Sequence, residues 1–319
     1  MLLKLKRPVF ARIATLPDWP VILIDLLTEE GIVGRSYLEP YTAKAMRYLI
    51  PALHDFGDLL KGRGVAPIEL HELARKSLHF VGYQGLATIA VSGLDMAAWD
   101  ALAKAAGLPL CVLLGGTVGP VKAYNSNGLW LKNPELVAAE ATELRDEGGF
   151  TGLKLRLGRE NARDDLEAIH AVRASVGDAC HLVVDFNQGL DFAEALHRGH
   201  LIDDLGLDWI EEPIIYDNFD GFARLSAELK TPVQIGENLW SPGSASGSPD
   251  ESLRFSDAGL HAHRRRHWVA QGGGDRRSGG RPCLHPPLSR VRRPRHACHG
   301  DGALAGMAGL GRTCFATAI

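Results

Sequence analysis

Three acidic residues stand where short apolar runs end: Asp185 in VVDFNQ, Glu211 in WIEEP and Glu237 in QIGEN, separated by 26 and 26 residues. If each run is a strand of one parallel repeat, equivalent positions face the same rim and the three carboxylates converge. Three like charges within a few ångströms repel unless a cation neutralises them. One Asp and two Glu offer only oxygen, a donor set that suits a hard octahedral ion, Mg²⁺ or alternatively Mn²⁺. An acid at a strand end can equally cap the next helix. Three at matched positions, each opening a polar break in an apolar run, favour the ligand reading. One repeat upstream lie Lys154 and Arg156. Residues i and i+2 share a strand face, so both cations can point into the same mouth. An ordinary surface salt bridge is the plainer alternative. A lysine beside a divalent ion can have a lowered pKa and act as a base. Arginine, with a pKa above about 12, is better suited to holding a carboxylate.

The elements that must carry these groups are legible from periodicity. Strands are expected at Val121–Ser126, Gly152–Leu157, His181–Asp185, Asp208–Glu211 and Val233–Gly236. Amphipathic helices are expected between them at Pro134–Glu147, Ala162–Ser175, Phe192–Leu205 and Asn218–Leu229. Five alternating units predict a parallel sheet and favour a (β/α) barrel over an open sheet. The first hundred residues read as a smaller α+β unit. It has strands at Pro20–Leu27 and Ile32–Leu38, with Gly34 read as turn chemistry. Helical spacing follows at 42–62 and 66–79, then a long helix over Thr88–Ala106 ended by Gly107 and Pro109. The expected domains are a capping unit over 1–110, the first part of a barrel with the metal site over 111–242, and an aberrant tail over 243–319.

Composition divides the chain at the same place. Residues 1–242 hold 23 Lys+Arg against 33 Asp+Glu, whereas residues 243–319 hold 12 Arg, no Lys and five acids. The tail also takes six of the 13 His and 13 of the 36 Gly, and shows neither a 3.6 nor a 2.0 apolar period. Over all 319 residues the net charge is −3, which gives no global pointer to nucleic acid. Val21–Leu27 is interrupted by Asp25 and too short to span a bilayer. MLLKLKRPVF has no long apolar core, so no signal peptide is expected. Five scattered cysteines make no disulfide framework and fit a cytoplasmic setting. Cys111, Cys180, Trp99 and Trp209 read as packing residues.

SGLDMAAWDALAK at 92–104, KLR at 154–156, VVDFNQ, WIEEP and QIGEN together resemble the enolase superfamily, and within it the mandelate racemase-like group. GRSYLEPYT at 34–42 resembles its capping segment. The resemblance implies a TIM-type (β/α) barrel beneath an α+β capping domain. It implies one essential Mg²⁺ and proton abstraction α to a substrate carboxylate, the metal stabilising the enediolate. On this pattern Asp185, Glu211 and Glu237 are the metal ligands and Asn187 is a polar neighbour of the substrate. Lys154 lies beside the substrate carboxylate, and Arg156 stands where racemases place a catalytic lysine. Tyr41 and the Val9–Leu16 loop, with Val9 and Ile13, match the specificity region. A small-molecule carboxylate or sugar acid is the expected substrate. A homo-oligomer is expected if the chain folds correctly, with no membrane or nucleic-acid partner. Two departures bear on the reaction. Lys-x-Arg replaces Lys-x-Lys, which disfavours a two-base racemase and favours a dehydratase, a hydro-lyase. The first cap strand is expected to be missing, and the family's Asp–His dyad and further Glu are absent after residue 242, leaving the barrel incomplete. An inactive relative lacking the dyad is the alternative.

The tail has a simple explanation in the genetic code. Read one base later, suitable codons for Asp257–Gln271 spell MPDCMRIGGVIGWLK. Those for Cys283–Val291 spell VSTHLYPEF, and those for Ala303–Met307 spell HWLEW. All three resemble the missing strand ends, in order, with the Asp, His and Glu beginning in the codons of Gly259, Pro286 and Gly306. Binding of nucleic acid by the Arg-rich runs is less favoured. Zinc is less favoured still, because Cys283, His285, His296, Cys298 and His299 lack finger spacing. In its given frame the tail is expected to be poorly ordered and the protein aggregation-prone, since an open parallel sheet exposes its edge. Nucleotide sequence across codons 242–257 is expected to show one extra base or two lost bases. A continuous frame without a shifted MPD–IGG–HWLE reading would refute this.

Overall fold

The computed structural model describes residues 1–238; the readings made for 239–319, including the shifted frame, lie outside the described residues. In chain order the elements are β1 (Leu2–Phe10), β2 (Thr15–Pro20), β3 (Ile22–Leu27), β4 (Val33–Leu38), α1 (Ala43–Leu60), α2 (Pro67–Ser77), α3 (Leu86–Ala106) and α4 (Leu110–Leu113). They continue with α5 (Pro134–Gly148), β5 (Gly152–Arg156), α6 (Ala162–Val176), β6 (His181–Asp185), α7 (Phe192–Ile202), β7 (Ile210–Glu211), α8 (Phe219–Glu228) and β8 (Val233–Gln234). They form two compact units among the described residues. One comprises Met1–Lys4 and Asp18–Gly119; the other comprises Leu5–Pro17 and the chain from Pro120. Helix α4 packs back on α3 after the turn at Gly107 and so belongs to the first of these units.

In the first unit, β3 and β4 pair antiparallel with Ile22 opposite Leu38 and Leu27 opposite Val33. Ile22, Ile24, Leu26 and Leu38 bury one face against Leu49, Phe56, Ala90, Ala97 and Ala101 of α1 and α3. The strict alternation in ILIDLL puts those residues on one side. Gly34 belongs to β4, not to a turn. A Cβ there would fall inside the Ala97 carbonyl oxygen and 2.8 Å from the Ala101 Cβ, so the strand lies directly on the helix backbone. Helix α3 ends on Gly107 in the left-handed conformation, φ 64°, whose N–H reaches the Ala103 and Lys104 carbonyls. By length and a mean hydropathy of 1.3 alone, α3 is the one described helix long and apolar enough to cross a membrane. Ala90, Val91, Ala97, Ala98 and Ala101 of this helix are buried in the core just described.

The expected loss of the first cap strand is corrected by β1, which pairs with β2 in a two-stranded sheet. Its lysines, its arginine and Pro8 obscure the pattern; a proline is tolerated on such an edge strand.

In the second unit, β5, β6, β7 and β8 make a parallel sheet in sequential order. The expected strand at Val121–Ser126 reduces to one parallel bridge between Asn125 and Leu153. Three of the four helices of this unit, α5, α7 and α8, begin on a side-chain cap, whereas Asn161 before α6 makes no such bond. Asn133 accepts from the Glu135 N–H, Asp191 from Glu194, and Asn218 from Gly221. The core is a continuous apolar layer including Leu153, Leu155, Leu182, Val184, Ile210 and Val233 on the strands and Val137, Ile169 and Phe222 on the helices.

Around the end of β5 this core carries a buried ionic cluster. Asp165 of α6 accepts from the Gly158 and Arg159 N–H groups and pairs with Arg198 Nη1 at 2.6 Å and Arg159 Nη1 at 3.1 Å. Removing one member of such a buried set strands the other charge, at a cost of about 3–5 kcal/mol. Asp165→Ala is expected to lower unfolding stability by about that amount in chemical denaturation. Arg163→Ala, which breaks the exposed Arg163–Glu167 pair, should cost under about 1 kcal/mol. Equal effects would refute this assignment.

Candidate metal and proton-transfer site

The parallel register sets the site. Arg156 lies opposite Asp185, Asp185 opposite Glu211, and Glu211 opposite Gln234. Asp185 and Glu211 are thus adjacent at the C-terminal ends of β6 and β7, and both are buried. Neither caps a helix, since Asp191 and Asn218 do that. The ammonium of Lys154 sits between them, 3.0 Å from Asp185 Oδ2 and 2.8 Å from Glu211 Oε1. One nitrogen touching both carboxylates holds them close enough for a single ion to bridge. Burial pulls the lysine pKa down, but Asp185 and then Glu211 push it up, and the net shift is upward.

The second oxygen of Glu211 accepts from Trp209 Nε1–H at 3.1 Å. Trp209 is more than packing, and the i, i+2 spacing on one strand face was the sign available in the sequence. Tyr124 meets Trp209 edge-on at 5.6 Å and lies 6.0 Å from Lys154 Nζ. With Val183 these rings form a small apolar floor under the charges. Asn187 turns its backbone N–H onto Asp185 Oδ1 at 2.8 Å and its side-chain amide onto Oδ2 at 3.1 Å.

Arg156 is anchored within the protein through one nitrogen. Its Nη1 donates to the carbonyls of Ser126, Gly128 and Lys154 at 2.7, 3.1 and 3.4 Å, and its guanidinium stacks on Trp130 at 4.1 Å. Burial pulls its pKa down despite the nearby Asp185 and Glu211.

Glu237 lies beyond the end of β8; the residue is exposed by surface area, yet neighbouring protein atoms crowd its carboxyl enough to push its pKa above the usual carboxylate range. Among the described residues, no three or more His, Cys, Asp or Glu side chains form a closed metal cage. Asp185 and Glu211 come together; Glu237 joins through its backbone, whose N–H reaches Glu212 Oε1 at 3.2 Å. Glu212 is almost wholly buried, and burial first, then the charges of Asp185 and Glu211, push its carboxyl up to about 7. The two carboxylates gathered around one positive charge are oxygen donors of the kind a hard divalent cation takes. Of the residues expected to set specificity, Val9 is buried on β1, Ile13 is 61% exposed in the turn after it, and Tyr41 meets Trp19 edge-on at 5.3 Å.

Residues 2–115 match the mandelate racemase / muconate lactonizing enzyme N-terminal domain, and residues 136–246 match the enolase C-terminal domain-like family. A solved enolase from alpha pretobacterium bal199 with bound Mg is 64% identical, with a TM-score of 0.75, covering 77% of this chain and 69% of that one. A solved enolase from Bradyrhizobium complexed with magnesium and mandelic acid is 36% identical, with a TM-score of 0.72, covering 77% and 68%. L-talarate/galactarate dehydratase from Salmonella typhimurium is 40% identical over 229 residues, 71% of this chain and 57% of that protein. The chain spans about half the length of the curated relatives it matches. The parallel sheet seen here is the first part of a TIM barrel that follows the capping domain. With both domain families matched in order and a close solved relative, the chain belongs to the mandelate racemase / muconate lactonizing enzyme group of the enolase superfamily.

Proposed function

We propose that this chain is built for Mg²⁺-dependent abstraction of the proton α to a carboxylate, with loss of water from a sugar acid. The observation that carries the reading is the lysine ammonium seated between two buried carboxylates on adjacent strand ends. Asp185, Glu211 and Glu237 would hold the ion. When bound, Mg²⁺ supplies the positive charge that acidifies the carbon next to a bound carboxylate. Lys154 stands beside that position and moves the proton. Asn187 offers a polar contact next to Asp185, and Tyr41, Val9 and Ile13 select the substrate.

Dehydration is favoured over racemisation by the state of Arg156. A racemase needs a base on each face of the carbon, and this guanidinium is committed to three carbonyls and a tryptophan ring. It serves better as a fixed positive wall. The 40% identity to a talarate/galactarate dehydratase supports the same choice. A cytoplasmic homo-oligomer acting on a small sugar acid completes the proposal.

The test is α-proton exchange and water loss in D₂O with Mg²⁺ and a panel of sugar acids, on the full chain. Exchange is expected for at least one acid, and Lys154→Met should lower it by at least about 100-fold while Mg²⁺ still binds. Mg²⁺ binding without any exchange would instead identify an inactive relative lacking the Asp–His dyad. Failure of Asp185→Asn to weaken Mg²⁺ binding would overturn the metal assignment.

A further inference from the structure

Three residues near the site adopt left-handed backbone without being glycine: Asn187 at φ 47°, Gln188 at φ 61° and Glu212 at φ 39°. Such conformations cost of order 1–3 kcal/mol each and persist only where the surroundings impose them. The surroundings of the last two are each other. Gln188 N–H donates to the Glu212 carbonyl at 2.6 Å, and its Nε2 donates to Glu212 Oε2 at 2.9 Å. Its own Oε1 accepts from the Tyr216 N–H at 3.1 Å. The other Glu212 oxygen, Oε1, accepts from the Glu237 N–H. Gln188 and Glu212 thus link the end of β6, the end of β7, the following loop and the segment after β8. Ladder pairing with β7 stops at Gln234, three residues short of Glu237. The Glu212 contact carries β7's position forward to the Glu237 backbone.

We propose that Gln188 and Glu212 act as a positioning pair that aims Glu237, the outermost acid of the site, at the metal. Glu212 touches neither substrate nor ion in this role; it acts through Glu237. The inference rests on the metal reading above, and its test separates the two. Glu212→Gln sets two amide donors against each other, and Gln188→Glu sets two carboxylates against each other. The double variant Gln188→Glu/Glu212→Gln reverses the roles while keeping the net charge. The carboxylate introduced at position 188 can still accept from the Tyr216 N–H and from the new amide at position 212. The oxygen of that amide can still accept from the Glu237 N–H.

Full-length protein and variants would be titrated with Mg²⁺ by calorimetry, beside thermal unfolding and metal-free hydrogen exchange of the peptide containing 237. Each single variant is expected to weaken Mg²⁺ binding by at least about tenfold and to speed exchange at 237. The double variant should return both toward wild type. Unchanged exchange in Glu212→Gln, or a double variant no better than the singles in either readout, would overturn the pair. If wild type itself fails to bind Mg²⁺, the metal reading falls and the aiming role falls with it, whereas the exchange arm still decides whether the pair holds Glu237. Variants whose unfolding temperature drops with no change in affinity or exchange would assign the pair a purely structural role, against the proposal.

Discussion

Two carboxylates buried side by side demand a positive charge. Asp185 and Glu211 are register partners on neighbouring parallel strands, both withdrawn from water. At such spacing in a low-dielectric setting their repulsion amounts to several kcal/mol. In this structure the Lys154 ammonium answers it, contacting both. Almost every nearby contact serves the same arrangement. Trp209 holds the second oxygen of Glu211, Asn187 grips both oxygens of Asp185, and Tyr124 closes the floor.

Buried polar pairs also join the strand ends of this segment to their neighbours. A site of converging charges works only if each strand end is fixed, and the fixing is done by buried pairs. Asp165, Arg198 and Arg159 tie the β5 loop to α6 and α7. Arg156 threads back under its own strand to the Ser126 and Gly128 carbonyls, binding β5 to the segment before it. Gln188 and Glu212 tie the next two strand ends together. These contacts trade conformational freedom for fixed geometry, and the left-handed residues at 187, 188 and 212 show where the backbone is bent to achieve it.

Much of the fold was legible because its signals are local. The helices at α3, α5, α6 and α8 follow from a 3.6-residue apolar period closed by caps, and Gly107 ends α3 by the left-handed turn that its residue type suggests. Elements with weak local signals were missed or overdrawn. β1 is disguised by its basic residues and Pro8, and Val121–Ser126 pairs only through Asn125. Gly34 has the composition of a turn but the contacts of a packed strand, a distinction made only by α3 lying against it.

For the site, residue types and 26-residue spacing pointed to Asp185 and Glu211 at matching strand ends, which the register bears out, with Lys154 and Arg156 one repeat earlier; Glu237, expected at the same level, lies three residues past Gln234, the register partner of Glu211. That follows because strand direction and side-chain alternation are properties of the local chain. Tertiary structure decided what each group touches. Lys154 is shared by two acids, Arg156 turns one nitrogen onto three carbonyls, and Trp209, Gln188 and Glu212 become partners of the acids rather than filler. Those outcomes depend on through-space distance and burial, which the order of residues along one strand does not encode.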